Sequence, residues 1–195
     1  MATDDAVARQ AERKGVAEEI LSRLQLMELW AAVGEPKLVG AAAYGLLVAP
    51  DIDIEIYCDE PRVEAGFSIV ANAAQSHAVR RVRFSNELDG PDRGLFWQLR
   101  YRTDDGEMWT VDMWLLGPDH PGPRSADLVD PMRRALSDET RHAILEIKEA
   151  LRGEPDVRSI DIYTAVLDEG VRSAPEFRLW HSRRTSSGLS FWRPR

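Results

Sequence analysis

Apolar positions recur at helical spacing through Val16, Ile20, Leu24 and Met27, and the stripe stops at Gly34 and Pro36. This spacing predicts one helix over that stretch, closed by glycine and then proline. The polar residues 1–14 before it are expected to fray. Lys37-Leu38-Val39 reads as a short buried strand ending at Gly40, and GAAAYG (40–45) reads as a turn of small residues. Residues 51–57, DIDIEIY, then alternate strictly. In a strand, Asp51, Asp53 and Glu55 share one face, and Ile52, Ile54 and Ile56 share the other.

Residues 62–76 read as a helix able to cross a sheet, and 79–85 as a strand. Asp89-Gly90-Pro91 marks a turn. Residues 95–102 alternate, with Leu95, Trp97, Leu99 and Tyr101 on one face. Asp105-Gly106 predicts a tight hairpin into a returning strand, 107–116. There Trp109, Val111, Met113 and Leu115 face one way, and Thr110, Asp112 and Trp114 the other. GPDHPGP (117–123) breaks the pattern, which places a seam at Pro118–Pro123. Beyond it the periodicity is helical. Ile144, Ile147 and Leu151 form one stripe, ended by Gly153 and Pro155. Ile160, Tyr163, Thr164 and Leu167 form another, ended by Gly170. A last short helix is expected over 174–182. The organisation expected is a core at 1–117, a helical region at 124–184 and a flexible tail at 185–195.

A length of 195 residues suits one domain, or one with a small helical appendage. The formal net charge of −8 argues against a general nucleic-acid binder, which needs a basic face. It is compatible with a cationic acceptor or with metal ions. The single cysteine, Cys58, excludes an internal disulfide and a cysteine-rich zinc cluster. Neither a signal peptide nor an apolar run long enough for a bilayer is visible, so a soluble cytoplasmic protein without membrane partners is expected.

The acidic strand changes the picture. Asp51 and Asp53 lie about 6.6 Å apart along a strand. Two bare carboxylates at that range repel by about 0.6 kcal/mol in water and about 2.5 kcal/mol at an effective dielectric near 20. A solvated edge tolerates this, whereas a cleft does not unless cations sit between the groups. Magnesium is the natural guest, because it takes oxygen ligands and shares sites with substrate phosphates. Alone, such a strand is more often plain amphipathic patterning. Its neighbours shift the balance. Gly40 at a strand end permits close backbone approach to a phosphate. Asp112 stands alone among apolar residues in WTVDMWLL and needs a partner.

The order Gly40, Gly45, Asp51-Ile52-Asp53 and Asp112 resembles the nucleotidyltransferase superfamily of the DNA polymerase beta type, and within it the small aminoglycoside and lincosamide nucleotidyltransferases. The resemblance covers roughly residues 36–116. It implies an α+β fold, a mixed β-sheet core flanked by helices, with a C-terminal helical region. It also implies that Asp51, Asp53 and Asp112 hold two magnesium ions on a nucleoside triphosphate, with Asp112 also placed to take the acceptor's proton. Gly40, Ala41 and Gly45 would cradle phosphates, and Lys148 and Tyr163 would reach the nucleotide. The function implied is transfer of a nucleoside monophosphate to a hydroxyl of a small molecule such as an antibiotic, with no nucleic acid involved. The sequence departs from the family at one point, since the usual Gly-Ser is Gly40-Ala41. This supports a second reading, an inactive relative that binds nucleotides or a protein partner.

Other residues keep two readings. Glu55 extends the acidic face and is expected to be solvated. Glu107 lies on the face opposite Asp112 and is expected at the surface. Arg81, Arg83, Arg100 and Arg102 alternate on two strands, either meeting phosphate or balancing surface acids. For Lys148 and Tyr163, a snorkelling lysine and a half-buried tyrosine are the commoner uses. The four histidines show no ligand spacing, and the six tryptophans suit core packing. Residues 178–195 hold five arginines and no acid, either as a loose end or as an anion-binding segment.

Overall fold

A computed structural model describes residues 3–184 and 191–194. The elements, in chain order, are α1 (Thr3–Arg23), α2 (Leu26–Ala31), β1 (Glu35–Val39), α3 (Gly40–Tyr44), β2 (Asp51–Tyr57), α4 (Val63–Ala73), β3 (Val79–Asn86), β4 (Gly94–Arg102), β5 (Met108–Leu116), α5 (Ala126–Ala135), α6 (Asp138–Ala150), α7 (Ser159–Glu169) and α8 (Ala174–His181). The strands form one mixed sheet in the order β1-β2-β5-β4-β3. Only β2 and β5 run parallel; the other neighbours are antiparallel.

Period-2 alternation decides which face of the sheet is buried. Ile52, Ile54 and Ile56 pack with Leu95, Trp97, Leu99 and Tyr101 and with Trp109, Val111, Met113 and Leu115 in one core under α1, α2 and α4. Gly66 of α4 makes this packing possible, because a Cβ there would lie 2.2 Å from the Trp97 ring. A second core joins α5 to α8 with Ala6 of α1 and with Ala43, Tyr44, Leu46 and Val48. The helices after the seam therefore share their interior with the N-terminal part of the chain. On the polar face of the sheet, α3 lies against β1 and β2, and α5 against β1. Among the described residues no helix packs on the polar face of β3 and β4, where Arg81 and Arg83 are exposed.

Three local expectations are corrected. Residues 3–14 are not frayed: they belong to α1, with Ala6 and Gln10 buried. The first helix is two helices, because Gln25 takes a left-handed conformation (φ 49°) that redirects the chain so that Leu26 and Trp30 enter the core. Residues 40–44 form a short helix rather than a turn, capped by Gly45 at φ 69°. The flexibility expected at Thr185–Ser190 lies outside the described residues. Next to that stretch, Trp192 is tied to α7 by a 2.6 Å bond from Nε1 to Asp168, and Arg193 donates to the Asp127 carbonyl on α5.

Candidate metal centre and active site

The polar face of β2 and β5 brings the three predicted acids together. Asp53 stands opposite Asp112 in the parallel register, and Asp51 opposite Thr110. One carboxylate oxygen from each of Asp51, Asp53 and Asp112 lies within 4.8 Å of the others. The separate segments meet because parallel pairing places two polar positions of the same parity side by side.

The electrostatics are those of negative charges crowded together. Burial, then the charges of Asp51 and Asp112, push Asp53 up to about 8. Burial and the charge of Asp112 push Asp51 up to about 6. Asp112 is raised by burial, and is held back by its bond from Gln98 and by Arg83 and Arg100. Gln98 Nε2 donates to Asp112 Oδ1 at 2.9 Å, fixing that carboxylate's orientation. Lys148, half-buried, is a cation facing the pair. Burial lowers it to about 8, against the pull of Asp53 and Asp51.

Gly40 takes φ +64°, and a Cβ there would lie 2.3 Å from Oδ2 of Asp53. Only glycine lets the backbone pass so close to this carboxylate. Ala41 follows, half-buried at the start of α3. The N–H of Gly45 is spent on the Ala41 carbonyl, so Gly45 shapes the turn. Arg141 Nη1 clamps that turn, donating to the carbonyls of Tyr44 (2.7 Å) and Gly45 (2.8 Å). Lys148 Nζ donates to the Leu46 carbonyl at 2.8 Å and to the Tyr163 hydroxyl at 3.3 Å. Tyr163 is buried edge-on to Tyr44, so its ring is part of the helical core and its hydroxyl supports Lys148.

A cleft of about 400 Å³ opens beside Asp53, lined by Gly40, Trp114, Leu116, His120 and Ser125 among others. Glu55, expected in solvent, is instead only 6 % exposed. Its oxygens accept the N–H groups of Ser125 and Ala126, each at 2.9 Å, and the Tyr57 hydroxyl. It thus anchors the start of α5 to the sheet and fixes one wall of the cleft. Glu107 accepts from Trp109 Nε1 and from Arg13, tying α1 to the hairpin. The roles of Gln98, Arg141 and Glu55 had no signal in the sequence, because their partners lie 14, 96–97 and 70–71 residues away.

The donor set suits a hard divalent cation: three carboxylates converge with only partial neutralisation by protein cations. Solved structures share this architecture. A mutant of the Cid1 poly(U) polymerase bound to MgATP superposes with a TM-score of 0.62 at 12 % identity, over 85 % of this chain and 54 % of that one. The same enzyme with MgGTP gives 0.60 at 14 % identity, over 85 % and 54 %. A cytoplasmic RNA terminal U-transferase gives 0.58 at 13 % identity, over 85 % and 53 %. This chain has the nucleotidyltransferase fold. It spans about half the length of the solved structures it matches. No protein-family model and no curated protein matches the sequence.

These neighbours overturn the expectation of a small-molecule acceptor without nucleic acid. They are named as RNA-directed enzymes, and one Cid1 structure holds its short product ApU. The physical error lay in the net charge. A total of −8 sums the whole surface, while the sheet puts Asp51, Asp53 and Asp112 on β2 and β5 and Arg81, Arg83 and Arg100 on β3 and β4. No helix among the described residues is long and apolar enough to cross a membrane.

Proposed function

We propose that this chain is a metal-dependent nucleotidyltransferase that moves a nucleoside monophosphate from a nucleoside triphosphate onto the terminal hydroxyl of an RNA strand. The observation that carries the reading is the meeting of Asp51, Asp53 and Asp112 within 4.8 Å. Asp51, Asp53 and Asp112 would hold magnesium. What bound magnesium supplies there, as two ions on this reading, is charge neutralisation of the triphosphate and of the attacking and departing oxygens.

The chain's own groups do the rest. The backbone at Gly40 and Ala41 meets the triphosphate next to Asp53, and Gly45 sets the turn behind it. Lys148, held by Leu46 and Tyr163, sets a positive charge behind the acid pair. Asp112, oriented by Gln98, takes the proton of the acceptor hydroxyl. The acceptor oxygen then bonds to the α-phosphorus, the bond from that phosphorus to the β-bridging oxygen breaks, and pyrophosphate leaves. The neighbours act on RNA by name, and this supports the choice of acceptor.

The test is extension of a labelled single-stranded RNA with each of the four nucleoside triphosphates and magnesium, with Asp53→Asn as control. Growth of the RNA that Asp53→Asn abolishes supports the reading. Ala41 in the usual serine position favours one alternative, a nucleotide-binding module without turnover. Saturable triphosphate binding with no transfer to RNA would select that alternative.

A further inference from the structure

The polar face of the sheet continues past the acids onto β4 and β3, where its register aligns residues in rows. Asp112, Gln98 and Arg83 form one row, and Thr110, Arg100 and Arg81 form the next. Neighbouring strands lie about 4.8 Å apart, so each guanidinium is within two strands of an acid or of Thr110. Arg100 spends one nitrogen on Thr110 Oγ1 at 2.9 Å. Arg81 and Arg83 are exposed and form no hydrogen bond or salt bridge among the described residues. Across the acid row, Phe96 and Trp114 form a half-exposed ring pair with centroids 4.8 Å apart.

An edge strand often carries charge simply to block pairing with another chain. That role needs no particular face and no particular sign. Here two cations of an acidic chain, without a hydrogen bond or salt bridge among the described residues, point to the face that carries the acid cluster, and no described helix covers that half of the face. Exposed guanidiniums beside half-exposed rings match the chemistry of a single-stranded nucleic acid, with phosphates on arginine and bases on aromatic faces.

We propose that the open face of β3 and β4 is the platform for the acceptor strand, with Arg81, Arg83 and Arg100 receiving phosphates of a single-stranded RNA whose 3′ end reaches Asp112. This rests on the nucleotidyl-transfer reading and adds to it the surface that holds the acceptor.

The test uses the full chain and a fluorescein-labelled 15-nucleotide single-stranded RNA, followed by anisotropy over a series of salt concentrations. Binding of ATP and UTP with magnesium is measured by calorimetry in parallel. Arg81→Ala/Arg83→Ala should weaken RNA binding about tenfold or more and reduce the salt slope by about 1.4, or 0.7 per lost phosphate contact. Triphosphate binding should be retained. Arg81→Lys/Arg83→Lys, which keeps the charge, should recover most of the RNA affinity. Unchanged RNA affinity and slope in the alanine variant would overturn the platform. Wild-type protein that binds a triphosphate but no RNA would also overturn it, while leaving nucleotide binding in place. Wild-type protein that binds neither would remove the platform and the transferase reading together.

Discussion

Asp53 fills the space that a side chain on Gly40 would need: a Cβ there would sit 2.3 Å from Oδ2 of Asp53. The left-handed backbone of Gly40 and the carboxylate position thus depend on each other. Gly40→Ala should move Asp53 out of the acid cluster. The expected result is a loss of nucleotidyl transfer of about a hundredfold or more, of the size seen when a positioning contact is misplaced by about 1 Å. Thermal unfolding should show the fold retained, with a lower midpoint from backbone strain of roughly 1–3 kcal/mol.

The acid cluster makes stability depend on pH in an unusual direction. Burial and the crowding of carboxylates push Asp51 up to about 6 and Asp53 up to about 8 in the folded chain, both above the ordinary carboxylate value. Between about pH 4 and pH 8 the folded state therefore binds more protons than the unfolded state, so this contribution falls as pH rises. Without divalent metal, the melting temperature should drop from pH 5 to pH 8 relative to Asp53→Asn, and the variant should be the more stable at pH 8. Magnesium should raise the wild-type midpoint more at pH 8 than at pH 5, because protons compete for the same oxygens.

Gln98 provides a separate handle on Asp112. Its amide stabilises the charged carboxylate through a 2.9 Å bond. Gln98→Leu removes a bond that favours the charged carboxylate and should shift the acidic limb of the pH–rate profile upward. A fall in rate with no movement of that limb would assign Gln98 a purely structural role.

Packing makes its own prediction at Gly66. In an exposed helix, Gly→Ala gains about 1 kcal/mol. Here the new methyl would meet the Trp97 ring at 2.2 Å. Gly66→Ala should instead destabilise the protein by about 1–3 kcal/mol in chemical denaturation, as overpacked cores do.

Strands β2, β4 and β5 were legible in the sequence because their alternation is strict and each has a fully apolar face. The acid cluster was legible for the same reason: Asp51, Asp53 and Asp112 are the polar positions of two such strands. Period alone does not reveal where a helix breaks. The stripe through Leu24 and Met27 runs on in sequence, yet Gln25 turns the chain. Glu55 could not be placed, because its partners at Ser125 and Ala126 come from a helix whose docking depends on the finished fold. Exclusion of nucleic acid failed because composition sums charge, while strand register distributes it. Arg81 and Arg100 become neighbours only once β3 and β4 pair.

The most direct measurement is manganese binding followed by electron paramagnetic resonance, with manganese standing in for magnesium at a hard oxygen site. The wild-type chain should bind Mn²⁺ saturably, and Asp53→Asn and Asp112→Asn should each weaken that binding by more than about tenfold. If Asp112→Asn binds Mn²⁺ as tightly as the wild type, the acids of β2 and β5 do not share a cation, and the account is contradicted.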